Sequence, residues 1–436
     1  MNKKFALVLA PVFWPSLPPL SLIHLGSFLV QNRYKEVALL DLNNRFFNLA
    51  QGPLKKAWQI SCNRYLEDNI FEILNKDFSG YLSQAIDEIL QYQTIGFSVY
   101  RSNINTTLIL VKLLKQKRKE IKIVLGGPEI TRIYFKNKAN FPKDLMEIAD
   151  LLVAGEGEKP LLAFLQGRLK DKNVVCFDEL SNLDKFKTID AYKKLDLNTY
   201  PKKQSISLFS ARGCRKKCAF CSERLLYKKV RRQSVDNVIA QIDYHRSRQG
   251  IKNFIFHDSM LNENLEYLEN LCDKIIERFG KINWEAQVAV RPDMPGRLMS
   301  KIKQSGCYNL FIGLESGSDK TLKKMRKGFT AALAREFFYR LKEADIWFGV
   351  SIIIGFPGET DKQRQNTLDF LIQNKDIIPK IEQVNPFVYY EGTKIEKESD
   401  YRFNKETLKK TNDFIESLRK NGFKMTNAFL NNLVEK

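Results

Sequence analysis

Cysteine is scarce in this chain, and what there is sits unevenly. Seven cysteines occur in 436 residues. Cys214, Cys218 and Cys221 fall within eight positions, while Cys62, Cys176, Cys272 and Cys307 are scattered. An odd count with that distribution excludes a secreted disulfide framework and points to a reducing compartment and a metal site. Long apolar runs are missing as well, so no membrane span is expected. Phe5–Ala10 follows a lysine-bearing start, as a secretion signal would. Pro11, Trp14 and Pro15 come next, and no small-residue cleavage site appears, so a buried first strand is expected instead. Internal repeats and low-complexity tracts are absent. Acidic residues are locally rare: residues 212–232 hold nine Lys/Arg and one acid, Glu223.

What is present describes a globular chain. Hydrophobic residues make up 44% and charged residues 28%, which excludes a disordered polymer. The length calls for two main domains. The net charge of +21, from 71 Lys+Arg against 50 Asp+Glu, admits nucleic acid, acidic substrates or an anionic surface. The lysines are scattered along the whole chain, so no specific nucleic-acid partner is expected, and a cytoplasmic location is. The local excess around the cysteines fits an anionic ligand there.

Short apolar runs alternate with amphipathic stretches in two series, the pattern of parallel α/β sheets. In the first, strands are expected at Phe5–Ala10, Val37–Leu42, Thr94–Val99, Lys122–Leu125 and Asp150–Val153. Helices are expected near 20–33, 45–90, 104–118 and 158–167. The second series places strands at Ser205–Ser210, Asn253–His257, Asn283–Val288, Tyr308–Leu314, Trp347–Ile354 and Lys380–Phe387, separated by helices. The expected fold is therefore α/β: a doubly wound parallel sheet over 1–170, a linker over 171–203, an incomplete (β/α)6 barrel over 204–400 and a helical extension over 401–436.

Cys214-Arg-Lys-Lys-Cys218-Ala-Phe-Cys221 follows the first strand of the second series. Soft thiolates at this density select zinc or an iron–sulfur cluster. A structural zinc site wants a fourth protein ligand, and the next candidates, His245 and Cys272, are far along the chain. Three cysteines on a cluster leave one iron open, as catalysis requires. The plainer alternative is three unligated core cysteines.

The spacing, with Phe220 before the third cysteine, resembles the radical S-adenosylmethionine (SAM) superfamily. The resemblance implies a [4Fe-4S] cluster on Cys214, Cys218 and Cys221. It also implies that the open iron chelates SAM, whose reductive cleavage yields a 5′-deoxyadenosyl radical. It further assigns Phe220, Asp258, Arg291, Gly313, Glu315, Ser316, Ile353 and Gly355 to SAM. In that assignment Glu315 accepts from the ribose hydroxyls, Arg291 pairs with the methionine carboxylate through its fork, and Ile352–Gly358 contacts adenine. Each mark alone is weak, since a Glu at a strand end or a solvated Arg is ordinary.

Ahead of that series, Pro18, Leu20, Asn43, Ser98, Val99, Gly126, Gly127, Pro128, Gly155, Glu156 and Gly157 mark strand ends and helix starts. Their order resembles the cobalamin-binding subgroup of the superfamily, which implies cobalamin on the carboxyl edge of the first sheet. Glycines there let backbone approach a large ring. The Asp-x-His-x-x-Gly motif that supplies a histidine to cobalt in many cobalamin proteins is absent. His24 is expected as a packed histidine, and cobalamin as base-off without a protein imidazole. The resemblance covers about 400 residues.

The expected function is a cobalamin-dependent radical methyltransferase acting on an unactivated carbon of a small-molecule or peptide substrate. A flavodoxin or ferredoxin is the expected electron donor. Alternatives are a radical oxidative cyclase or rearrangement enzyme and, outside enzymes, a cluster-bearing sensor. A tRNA methylthiotransferase is a further alternative; it would need three cysteines in residues 1–203, where only Cys62 and Cys176 occur, and an RNA-binding domain larger than the last ~36 residues offer.

Overall fold

The computed structural model describes residues 4–34, 36–52, 54–55, 58, 70–169, 174–185, 187–397 and 405–425. Cys62, part of the helical stretch expected over 45–90, and most of the extension beyond residue 420 lie outside these. The chain divides into two compact units. One comprises Met1–Ser207 with Leu225–Arg231 and Asp243–Gly250; the other comprises Leu208–Arg224, Arg232–Ile242 and Ile251–Lys436.

The first unit is built on six parallel strands: β1 (Phe5–Leu9), β2 (Val37–Asp41), β3 (Thr94–Ser98), β4 (Lys122–Gly126), β5 (Leu151–Ala154) and β6 (Val174–Cys176). Their order is β2-β1-β3-β4-β5-β6. Every residue of β1, β3 and β5 is buried, as parallel strands covered on both faces require. The order reverses between β1 and β3, so the loops leaving these strands part and open a crevice at their carboxyl ends.

Three differences from the sequence expectation stand out in this unit. The helical stretch over 45–90 contains separate helices at Leu42–Leu49, Ile70–Asp77 and Ser79–Ile89. Residues 171–203 do more than link: β6 pairs with β5, Leu152 opposite Val174. The helix Ile189–Tyr192 sits on the helix Leu20–Gln31, where Ala191 N donates to Ser27 Oγ at 3.1 Å. Tyr200 then reaches back to Asp41, donating its hydroxyl at 2.8 Å. The last two contacts span well over a hundred residues, and no local periodicity announces them.

The second sheet runs β7 (Ser205–Leu208), β10 (Asn253–Phe256), β11 (Asn283–Val288), β12 (Cys307–Glu315), β13 (Phe348–Ile354) and β14 (Lys380–Pro386), all in chain order. A two-stranded ribbon of β8 (Ala211–Arg212) and β9 (Arg231–Arg232) branches from the loop after β7. Parallel strands in chain order, joined by helical crossovers, keep all carboxyl ends on one edge. The crossovers are firmly started. Asn264 caps Leu265–Phe279 by accepting from Tyr267 N at 2.9 Å. Thr360 and Gln363 form a reciprocal capping box at Asp361–Gln373. The helix Lys405–Lys420 buries Thr407, Thr411, Phe414, Ile415 and Leu418.

Candidate functional site

The three clustered cysteines occupy the excursion between β8 and the short helix Glu223–Leu226. Its stem is closed by the ribbon and by Gln233, whose backbone N donates to Ser210 O at 2.8 Å and side chain to Phe209 O at 2.7 Å. Its middle is pinned where Ala219 N donates to Met325 O at 2.9 Å. Cys214 and Cys218 are half-buried, Cys221 is exposed, and all three are free thiols. Burial pushes the Cys214 thiol up, and the charge of Cys218 adds to it. Among the described residues no three ligating side chains are gathered as a single ion would need. A cluster spreads its thiolates wider than a lone ion, because each is bound to a different iron.

Around this loop the structure gathers several of the marked residues and commits others elsewhere. Phe220 and Ile353 share one apolar cluster with Ala219, Met325, Phe356, Phe387 and Ile395. Gly355, at φ +77°, donates its N–H to Glu359 at 2.8 Å, and Thr407 lies where a Cβ would point. Glu315 ends β12 at φ +69° after a register shift, the irregularity that re-aims a strand-end side chain. Its carboxylate pairs with Lys327 at 3.3 Å and accepts from Ser351 Oγ at 3.0 Å. A Cβ on Gly313 would meet that carboxylate, which would have to move aside. Ser316 is fully buried and shares a hydrogen bond with Thr367 at 2.9 Å.

Two expectations change. Asp258 does not present a free carboxylate. It accepts from Ser210 N at 3.0 Å, Ser210 Oγ at 2.9 Å and Ala211 N, so it braces the base of the cysteine excursion. Burial raises its pKa to about 7, against those hydrogen bonds. Arg291 likewise spends its fork on Asp293, at 2.7 and 2.6 Å, and its remaining amine on the carbonyls of Asn262 and Glu263.

Lys327 escaped the sequence reading. It is almost fully buried between Glu315 and the rings of Phe220 and Phe329, 5.9 and 5.7 Å away. Burial works against its charge, but Glu315, Cys218 and Cys221 outweigh it and hold its pKa above the usual lysine value. Nothing in Arg326-Lys327-Gly328 distinguishes it from a solvated turn lysine. His257 is exposed at the end of β10.

In the first unit the marked residues do line the carboxyl edge. Asn103 ties β1 to β3, donating to Ala10 O at 3.1 Å and Ser98 O at 3.3 Å. Val99 donates to Gly126 O and accepts from Glu129 N. Gly127, at φ +110°, packs so closely on Val99 that a Cβ would stand 2.7 Å from its carbonyl oxygen. Pro128 starts the following helix, Pro18 is buried just ahead of the helix that begins at Leu20, and Gly157 precedes the helix Glu158–Leu165. Gly155 donates to Thr131 Oγ1 at 2.9 Å. Asn43 and Glu156 are less available than expected. Asn43 Oδ1 accepts from Phe13 N and Trp58 Nε1, and Glu156 is bound to Arg231 at 2.5 Å. Phe13 and Tyr100, 4.2 Å apart between ring centres, stand at the β1–β3 crevice. His24 is buried in its helix. No described helix is long and apolar enough to cross a membrane.

Residues 208–371 match the Radical SAM superfamily model. The chain carries a radical SAM domain. It is 26% identical over 340 residues to an uncharacterized methyltransferase of Pyrococcus horikoshii, covering 73% of this chain and 72% of that one. A tRNA-2-methylthio-N(6)-dimethylallyladenosine synthase of Treponema denticola is 26% identical over 305 residues, 64% of each chain. Among solved structures, the cobalamin-dependent radical SAM enzyme OxsB with aqua-cobalamin superposes with a TM-score of 0.65 at 19% identity, over 95% of this chain. The chain spans 56% of the length of OxsB. The radical SAM methyltransferase TsrM of Kitasatospora setae, solved with cobalamin and a [4Fe-4S] cluster, gives 0.65 at 15% identity, over 91% of this chain and 77% of TsrM. The radical SAM family works with SAM and a [4Fe-4S] cluster. The donor set here fits: three thiols on one pinned loop, near enough that the charges of Cys214 and Cys218 bear on Cys221.

Proposed function

We propose that this radical SAM enzyme is a cobalamin-dependent methyltransferase that acts on an unactivated carbon of a small-molecule or peptide substrate. The observation that carries this reading is a sheet with a switch point and a glycine-lined carboxyl edge standing ahead of the radical SAM domain in one chain. Fold likeness to OxsB and TsrM over nearly the whole chain supports it. When bound, the cluster with SAM supplies a carbon-centred radical and cobalamin a methyl group.

In this proposal Cys214, Cys218 and Cys221 hold the cluster. Phe220, Ile353 and Gly355 offer an apolar wall and a bare backbone suited to adenine, while Glu315 accepts from hydroxyls and Lys327 neutralises negative charge beside it. Asp258 positions the loop. In the first unit, Val99, Gly126, Gly127, Gly155 and Gly157 let backbone approach a ring from below, and water is kept from the crevice by Phe13 and Tyr100. A cytoplasmic setting with a flavodoxin or ferredoxin as reductant completes the reading. Methylthiotransfer is favoured by the T. denticola relative, but residues 1–203 hold only Cys62 and Cys176, too few for a second cluster.

The test is anaerobic reconstitution followed by incubation with SAM, dithionite and hydroxocobalamin. The expected products are 5′-deoxyadenosine and S-adenosylhomocysteine, the second only with cobalamin present. A chain that forms neither contradicts the proposal.

A further inference from the structure

The strand order of the first sheet reverses between β1 and β3, and the loops leaving these two strands are tied together. Asn103 Oδ1 accepts from Tyr100 N at 2.8 Å, while the Asn103 amide donates to Ala10 O and Ser98 O. Ser102 Oγ donates to Val12 O at 2.7 Å. On the other loop, Phe13 N donates to Asn43 Oδ1 at 2.8 Å, and Trp58 Nε1 donates to the same oxygen at 3.0 Å. These bonds present a pair of rings, Phe13 against Tyr100, with centres 4.2 Å apart and planes 36° from parallel. Both residues are half-buried. On the next strand end, Gly127 packs without a side chain on Val99, the residue before Tyr100. All of these residues lie in Met1–Ser207, within the first unit.

The paired rings offer a broad apolar surface of the kind that stacks on a planar ligand. They offer a metal very little. An oxygen ligand binds best as its anion, and burial pushes the Tyr100 phenol above its ordinary value of 10.0, against the hydroxyls of Ser21 and Ser98. Of the three histidines, the first unit holds His24, buried in its helix, and His245, which is packed on Tyr192 and Tyr244.

We propose that Phe13 and Tyr100 form the floor beneath the corrin ring, an aromatic shelf that denies the cobalt both a protein ligand and water on that side. The proposal rests on the cobalamin reading of the first unit and adds the residues that set the lower face. The shelf needs no contact from the second unit.

The test loads the full chain with hydroxocobalamin anaerobically and reduces it to Co(II). Paramagnetic resonance spectra are then recorded in ordinary water and in water enriched in the magnetic oxygen isotope. Wild type should show neither nitrogen splitting nor broadening by the labelled water. Y100F, which keeps the ring and loses the hydroxyl, should match it. Y100H and F13H each place an imidazole on the shelf, and at least one should acquire the splitting of an axial nitrogen. A Y100F spectrum that differs from wild type would put a phenol at the metal and overturn the proposal. So would the absence of nitrogen splitting from both histidine variants, or broadening of the wild-type spectrum. Y100F removes one oxygen and leaves the ring packing in place, so it decides even where a histidine variant folds poorly. A wild-type chain that retains no cobalamin would sink the methyltransferase reading itself, and the shelf with it.

Discussion

The first sheet changes direction at β1, with β2 on one side and β3 on the other, whereas the second adds each strand beside the last. The same βα unit thus serves two ends. In the first unit the edge facing the crevice is mostly backbone: Gly126, Gly127, Gly155, Gly157 and Val99 carry no chemistry of their own, and their task is close approach. In the second unit the edge carries thiols, carboxylates and a buried lysine. The first unit should therefore fail when bulk is added, and the second when a functional group is removed.

The largest expected effect lies in the second unit. Cys218→Ala should reduce reconstituted iron from about four per chain to near zero, read by iron assay and electron paramagnetic resonance, while the first unit keeps its ligand. Full iron retention would erase the contrast. Next comes Gly127→Ala, which combines positive φ with a carbonyl 2.7 Å from the new methyl. It should cost about 2–4 kcal/mol in denaturant unfolding and abolish cobalamin retention without touching iron. Lys327→Met leaves Glu315 buried without its cation. SAM should then bind about tenfold more weakly or worse, measured by its perturbation of the reduced-cluster spectrum, with iron content unchanged.

The remaining effects concern pH, and each unit has its own sign. His245 in the first unit is buried against Tyr192 and Tyr244 and hydrogen bonds with Gln249 at 2.5 Å. Burial lowers its pKa from 6.5 to about 4. The unfolded chain then binds the extra proton first, so stability is lost as pH falls from about 6.5 towards 4, by up to about 1.4 kcal/mol per pH unit. Asp258 in the second unit runs the other way. Its pKa rises from 3.8 to about 7, so the folded chain holds the extra proton and stability is lost as pH rises across that window. His245→Asn should flatten the first slope and Asp258→Asn the second, each in thermal melts between pH 4 and 7.

Much of this was legible in the sequence because parallel strands buried on both faces read as bare apolar runs. Phe5–Leu9 needed no more than that, whereas Asn283–Val288 shows by alternation, with Trp284, Ala286 and Val288 buried between polar residues. β6 was missed because three half-buried residues, Val174–Cys176, have no period to detect. The cysteine excursion announced itself by spacing alone. Its support did not: Asp258 reads as a ligand-facing strand-end carboxylate until Ser210, 48 residues earlier, is found bonded to it. Asp258 and Arg291 stand at the strand ends where ligands bind, yet their hydrogen bonds go to the protein. Position along a strand is local and readable, whereas a side chain's partner is not.

The most direct test of the central claim is the Co(II) paramagnetic resonance spectrum of cobalamin retained anaerobically by the intact chain. The account predicts retention in a base-off form with no nitrogen hyperfine splitting, and an identical spectrum for His24→Ala. A chain that cleaves SAM yet retains no cobalamin would contradict it.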